Sequence, residues 1–118
     1  MKIILALGVI MMILPFLRMQ KAYAGEQNQV RASHILVQTK EEADKLKARI
    51  DKGEDFAKLA QEYSKCPSSR QGGDLGYFGH GVMVREFDEA SFSLPLNKVS
   101  DPVKTQFGWH LILVTDKK

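Results

Sequence analysis

From Val30 to Thr39 the chain alternates in a way that leaves neither side polar: Ala32, His34 and Leu36 point one way and Ser33, Ile35 and Val37 the other. A strand apolar on both faces belongs in the middle of its sheet. Trp109 to Thr115 repeats the pattern, broken only by His110. Between these two strands the period changes. Thr39-Lys40-Glu41-Glu42 fits a capping box, and Ala43, Leu46 and Ile50 continue at helical spacing as far as Gly53, predicting a helix of about three turns. A second helix is expected from near Glu54, with Phe56, Leu59, Ala60 and Tyr63 on one face. It must end before Cys66-Pro67, because proline disfavours helical geometry in the residue before it. A third helical pattern begins near Val84, carries Phe87, Ala90, Ser91 and Leu94, and closes before Pro95. Pro95 to Lys98 reads as a turn, Val99 to Val103 as a short strand confined to an edge by Pro102, and Thr105 to Gly108 as a hairpin connection. The order of elements predicts an α+β fold, with helices covering a small antiparallel sheet.

The stretch from Cys66 to Phe87 fits neither period, although Leu75 to Phe78 could form a short strand. Glycines at 72, 73, 76, 79 and 81 let the backbone turn tightly. Leu75, Phe78, Met83 and Phe87 nevertheless need an apolar place to go. A loop that is both glycine-rich and apolar is expected to wall a small pocket.

Composition changes this picture mainly at the N-terminus. Met1-Lys2 is a short basic start, Ile3 to Leu17 an apolar run, and Ala22-Tyr23-Ala24 a small-x-small site, together a secretory signal pattern over residues 1–24. An uncleaved membrane anchor is the alternative, but 15 residues fall short of the roughly 20 that span a bilayer. The segment holds Lys2, Arg18 and Lys21 and no acid, so the net charge of +3 resides there, and the remaining 14 basic residues balance 14 acidic ones. A neutral domain without a basic cluster carries no electrostatic footprint for nucleic acid or anionic membranes. Residues 25–29 are polar and expected to be a flexible leader, and 30–118 is enough for one core. Cys66 is the single cysteine, so no internal disulfide forms.

Three kinds of side chain could carry chemistry. His34 and His110 are each the polar member of an apolar strand. An unpaired buried imidazole costs roughly 1–3 kcal/mol, so they should bond each other or a hydroxyl such as Thr105, unless each is satisfied independently in the core. A metal site with Cys66 as third ligand lacks the closely spaced ligand pairs of zinc centres. Cys66 could be a nucleophile with a histidine base, or an unreactive, partly buried thiol. The glycine run Gly72-Gly73-Asp74-Leu75-Gly76 lacks the Lys-Ser/Thr and the helix of a phosphate loop.

Ala32-Ser-His-Ile-Leu-Val37, Ser64-Lys-Cys-Pro-Ser68 with Gly72-Gly-Asp-Leu-Gly-Tyr-Phe78, Met83 to Phe87, and Phe107-Gly-Trp-His-Leu-Ile112 resemble, in order, the parvulin family of peptidyl-prolyl cis/trans isomerases. The likeness runs from about Val30 to Val114. It implies the parvulin fold, a four-stranded antiparallel sheet surrounded by helices, and no cofactor or metal. It implies that Leu75, Met83 and Phe87 form a proline-ring pocket with Phe78 nearby. His34 and His110 would be the paired histidines beneath it, Thr105 the hydroxyl bridging them, and Cys66 the thiol beside the isomerising bond. Phe107 stands where phosphate-dependent members carry Ser. Val37-Gln38-Thr39 runs straight into the capping box, leaving no room for their arginine-rich loop, so the chain is similar to the short, phosphorylation-independent members.

On this reading the partners are proline-containing segments of unfolded exported proteins, the state is a monomer, and the location is a bacterial periplasm or outer surface. Any membrane contact would run through an uncleaved signal peptide. Replacing Met83 or Phe87 by Ala is expected to weaken catalysis with the fold intact. The competing function is a holdase that binds unfolded exported chains with little catalysis.

Overall fold

The computed structural model describes residues 28–118; the expected signal peptide and most of the leader lie outside the described residues. Four strands, β1 (Gln29–Val37), β2 (Asp74–Gly79), β3 (Val103–Thr105) and β4 (Gly108–Lys117), form one antiparallel sheet in the order β2-β1-β4-β3. The two strands apolar on both faces are the two central ones. Each lies between neighbours and packs on both faces, so most positions in its middle are buried, with Ser33, Leu36 and Leu113 partly so. β1 starts at Gln29, one residue ahead of the expected domain boundary, because Gln29 exchanges backbone hydrogen bonds with Lys118 at the far end of β4 (2.7 and 2.9 Å).

The helices are α1 (Lys40–Asp51), α2 (Phe56–Tyr63) and α3 (Arg85–Ser93). Thr39 caps α1 by accepting the Glu42 N–H at 3.1 Å, as the capping box predicts. Ile35, Val37 and Leu111 on one sheet face pack against Ala43, Leu46, Phe56, Leu59 and Ala60 of α1 and α2. On the other face Val30, Ala32, Ile112 and Val114 meet Phe78 and Phe87. Each fully buried aliphatic contributes on the order of 1.5–3 kcal/mol. The fourth residue of the expected α2 face, Tyr63, is 41% exposed. It sits on the last turn beyond the sheet, where its ring lies under the Arg49 guanidinium at 5.4 Å.

Two local expectations shift. The edge strand is Val103–Thr105 and not Val99–Val103. Residues before Pro102 do touch β4, with Asn97 N–H on Val114 O at 2.7 Å and Ser100 N–H on Ile112 O at 2.8 Å. Regular pairing starts only after Pro102, which has no N–H to donate. Pro67–Gln71, expected to be loop, winds into a short 3-10 turn with Cys66 just ahead of it and left-handed Gly72 (φ 67°) ending it.

Candidate active site

The sheet places His34 and His110 on the same face, His34 opposite Ile112 and His110 opposite Leu36. They are therefore diagonal neighbours on adjacent strands. Their rings stack with centroids 5.1 Å apart and planes 16° from parallel, and the two Nδ1 atoms approach to 3.0 Å. Thr105, on β3 beyond His110, brings its Oγ1 to 2.7 Å from His110 Nε2 and accepts the Phe107 N–H at 3.1 Å. Thr105 thus serves His110 alone and does not bridge the pair. β3 borders β4 only, and that strand separates Thr105 from His34 on β1.

Counting donors assigns the tautomers. With the Phe107 N–H already on its oxygen, the Thr105 hydroxyl donates to His110 Nε2; otherwise its proton has no acceptor among the described residues. His110 then donates from Nδ1 to His34 Nδ1, and His34 carries its proton on Nε2. That atom is buried without a hydrogen-bond partner among the described residues.

Burial pushes both histidines down from 6.5 to about 4, and for His34 the adjacent His110 adds to the effect. Both are neutral at physiological pH. Between pH 6.5 and about 4 the unfolded chain binds more protons than the folded one, so stability falls as pH drops through that window. The carboxylates of Asp74 and Glu54, held low by hydrogen bonds from Arg31 and Arg49, lose their contribution only below the usual carboxylate range. Urea-unfolding midpoints measured at pH 7, 5.5 and 4.5 should decline steadily. A flat profile would mean that the histidines are charged or solvated in the folded protein.

Above the pair lies a cavity of about 480 Å³. Phe87 stands edge-on to both imidazoles, at 5.3 Å from His34 and 5.2 Å from His110. Leu75 from β2 and Val82, Met83 and Val84 from the loop before α3 make one side, and Leu36, Cys66, Pro67 and Phe107 the other. The opposite wall is placed by stitching between the end of α2 and β1. Leu36 N–H donates to Ser64 Oγ at 3.0 Å, and Lys65 N–H donates to Leu36 O at 2.7 Å. These bonds swing Cys66 to the rim, where its thiol is partly exposed.

Of the residues singled out from the sequence, His34, Cys66, Leu75, Met83, Phe87, Phe107 and His110 line this cavity. Phe78 does not; it is 5% exposed behind Phe87, packed at 6.1 Å from that ring and 6.3 Å from Phe92. Leu36, Lys65, Pro67, Val82 and Val84 line the cavity without having been singled out. Adjacency to Cys66 and Met83 was the available signal for four of them, and for Leu36 its place two residues from His34 on the same strand. His80 was also passed over. Its Nδ1 lies 2.9 Å from Asp88 Oδ2, with the ring stacked on Phe92 at 3.6 Å, which ties the loop before α3 to that helix.

A family model described as the PPIC-type PPIase domain matches residues 16–118. The foldase protein PrsA of Geobacillus kaustophilus is 54% identical over 101 residues, covering 85% of this chain and 36% of that protein. The crystal structure of the peptidylprolyl isomerase PrsA from Bacillus anthracis superposes with a TM-score of 0.77 at 42% identity, over 78% of this chain and 43% of the other. NmPin, the parvulin of Nitrosopumilus maritimus, gives 0.72 at 41% identity, over 78% of this chain and the whole (100%) of that one. The chain spans about a third of the length of the foldase relatives it matches, 27–36% in the first three.

Proposed function

The chain belongs to the PPIC-type, or parvulin-type, peptidyl-prolyl isomerase family, and from that premise we propose that it accelerates X-Pro isomerisation in exported proteins as they fold. The observation that carries the reading is the apolar cavity over the neutral histidine pair. Leu75, Met83 and Phe87 hold the proline ring there, and the peptide carbonyl lies toward Cys66.

The uncatalysed bond turns over in tens to hundreds of seconds, against a barrier of roughly 18–20 kcal/mol set by amide resonance. No covalent bond need break. The twisted amide has lost resonance, its carbonyl is less polarised than the planar one, and a site that offers that oxygen few donors therefore favours it. Each tenfold in rate requires only about 1.4 kcal/mol of such preference. The histidines and Thr105 fix the floor and the angle of Phe87, while Cys66 tunes the polarity at the rim.

Cys66 supplies the test. In a proline-isomerisation assay on a short peptide, Cys66→Ala and Cys66→Ser should each retain rates within about tenfold of wild type, a change of about 1.4 kcal/mol. Loss of activity in both to the uncatalysed rate would instead require covalent attack by the thiol. The signal pattern of residues 1–24 supports export, to a bacterial periplasm or outer surface, and the expected working state is a monomer. One observation favours the holdase reading: Val82 and Phe107, 67% and 61% exposed, extend the apolar surface past the cavity mouth. A wild-type domain that binds unfolded chains without accelerating the peptide would select it.

A further inference from the structure

We propose that His80 is a positioning residue for the proline pocket: with Asp88 and Phe92 it holds the loop that presents Met83 opposite Phe87. The inference rests on reading the cavity as a proline site. Asp88 brackets the loop from both ends. Its backbone N–H donates to Val84 O at 2.9 Å, while its carboxylate meets His80 Nδ1 at 2.9 Å through Oδ2 and accepts the Gly81 N–H at 3.3 Å on Oδ1. An ionised carboxylate only accepts, so Nδ1 is a protonated nitrogen of His80. Four residues on from Asp88, and so on the same face of α3, Phe92 stacks on the His80 ring at 3.6 Å with the planes 22° apart. Val82 and Met83 lie inside this bracket, and both line the cavity. Little else holds them there: Val82 is largely exposed, and no atom lies within 4 Å of where a Cβ on Gly81 would stand.

The width of the pocket therefore depends on a residue outside it. Phe87 is fixed by the core and by both histidines. Met83, packed against that core only from its margin, is tied to the same helix by two routes, forward through Val84 and backward through Gly81 and His80. With the backward route cut, the loop gains freedom that binding must remove at an entropic cost. A proline ring is gripped alike in the planar and the twisted amide, so this cost weakens the binding of both. It appears in KM and leaves kcat nearly unchanged. His80 does not line the cavity, so the effect passes through the loop and not through contact with the ligand.

The experiment uses a short proline peptide and reads kcat, KM and peptide Kd. The proteins are the chain as it stands, His80→Ala, His80→Arg, Met83→Ala, and Met83→Ala combined with His80→Ala. His80→Ala should raise KM about three- to tenfold, the range that one net hydrogen bond spans, with kcat within about twofold of wild type. His80→Arg should bring KM back to within about twofold, because a guanidinium both stacks on an aromatic face and donates to a carboxylate. In the Met83→Ala background His80→Ala should raise KM by less than about twofold, since a clamp that acts through Met83 has nothing left to position. An unchanged KM in His80→Ala, or an equal rise with and without the Met83 side chain, overturns the proposal and leaves the isomerase reading standing. A wild type that accelerates no peptide, yet whose Kd values repeat the pattern expected of KM, removes the isomerase reading and sustains this one.

Discussion

Gly73→Ala should unfold much of the site by one methyl group. A Cβ at this position would sit 2.3 Å from the His34 carbonyl oxygen and 3.3 Å from Ala60 Cβ, on a backbone with φ +86°. Neither neighbour can retreat. His34 lies in β1, bonded to β4 on one side, while its N–H donates to Gly73 O at 2.9 Å on the other. The expected loss is about 3–5 kcal/mol, a large part of the 5–15 kcal/mol that holds a typical domain together. Denaturant unfolding gives the number, and isomerase activity should fall with it, because the displaced strand carries the cavity floor. Gly76→Ala is the companion measurement. Its φ is +71° but nothing lies within 4 Å of the added carbon, so it should show only the left-handed backbone cost of about 1–2 kcal/mol. Equal losses in the two variants would mean that backbone conformation, and not the contact with His34, is what Gly73 provides.

Phe87→Ala should cost nearly as much, about 3–5 kcal/mol. The sequence alone placed Phe87 in a pocket, and its truncation was expected to spare the fold. The structure changes that expectation: Phe87 is 3% exposed, joins the core cluster with Phe78 and Ile112, and faces both histidines edge-on. One ring is at once the pocket floor and the roof of the core, so thermal stability and activity should fall together. Met83 is the residue that separates the two quantities. It is partly buried, packs against the cluster only from its margin, and lines the cavity. Met83→Ala should slow isomerisation severalfold while the melting temperature moves by a few degrees at most. A Phe87→Ala protein as stable as Met83→Ala would show that the cavity lining refolds around the gap.

The contrast between these two residues shows where sequence reading stops. Alternation identified β1 and β4 as central strands, because burial on both faces leaves a two-residue pattern with no polar side, and that pattern is local. The cap at Thr39, the helix faces through Leu46 and Leu59, and the end of α2 before Pro67 were legible for the same reason. Pattern and family resemblance together named seven of the residues that line the cavity. Phe78 was drawn in with them, since strand alternation and aromatic character cannot say which of two neighbouring rings stands in front.

What the sequence determined by itself is the set of elements, the two central strands and the presence of an apolar loop with somewhere to fold. Those follow from propensities and periods within a dozen residues. Pairing register and packing across the sheet decided the rest. They put His34 diagonal to His110, confined Thr105 to one histidine, gave Phe87 its double duty, and brought the unremarked Lys65 to the rim. These are distances between residues up to 76 positions apart, set by how strands slide past one another, and no local pattern encodes them.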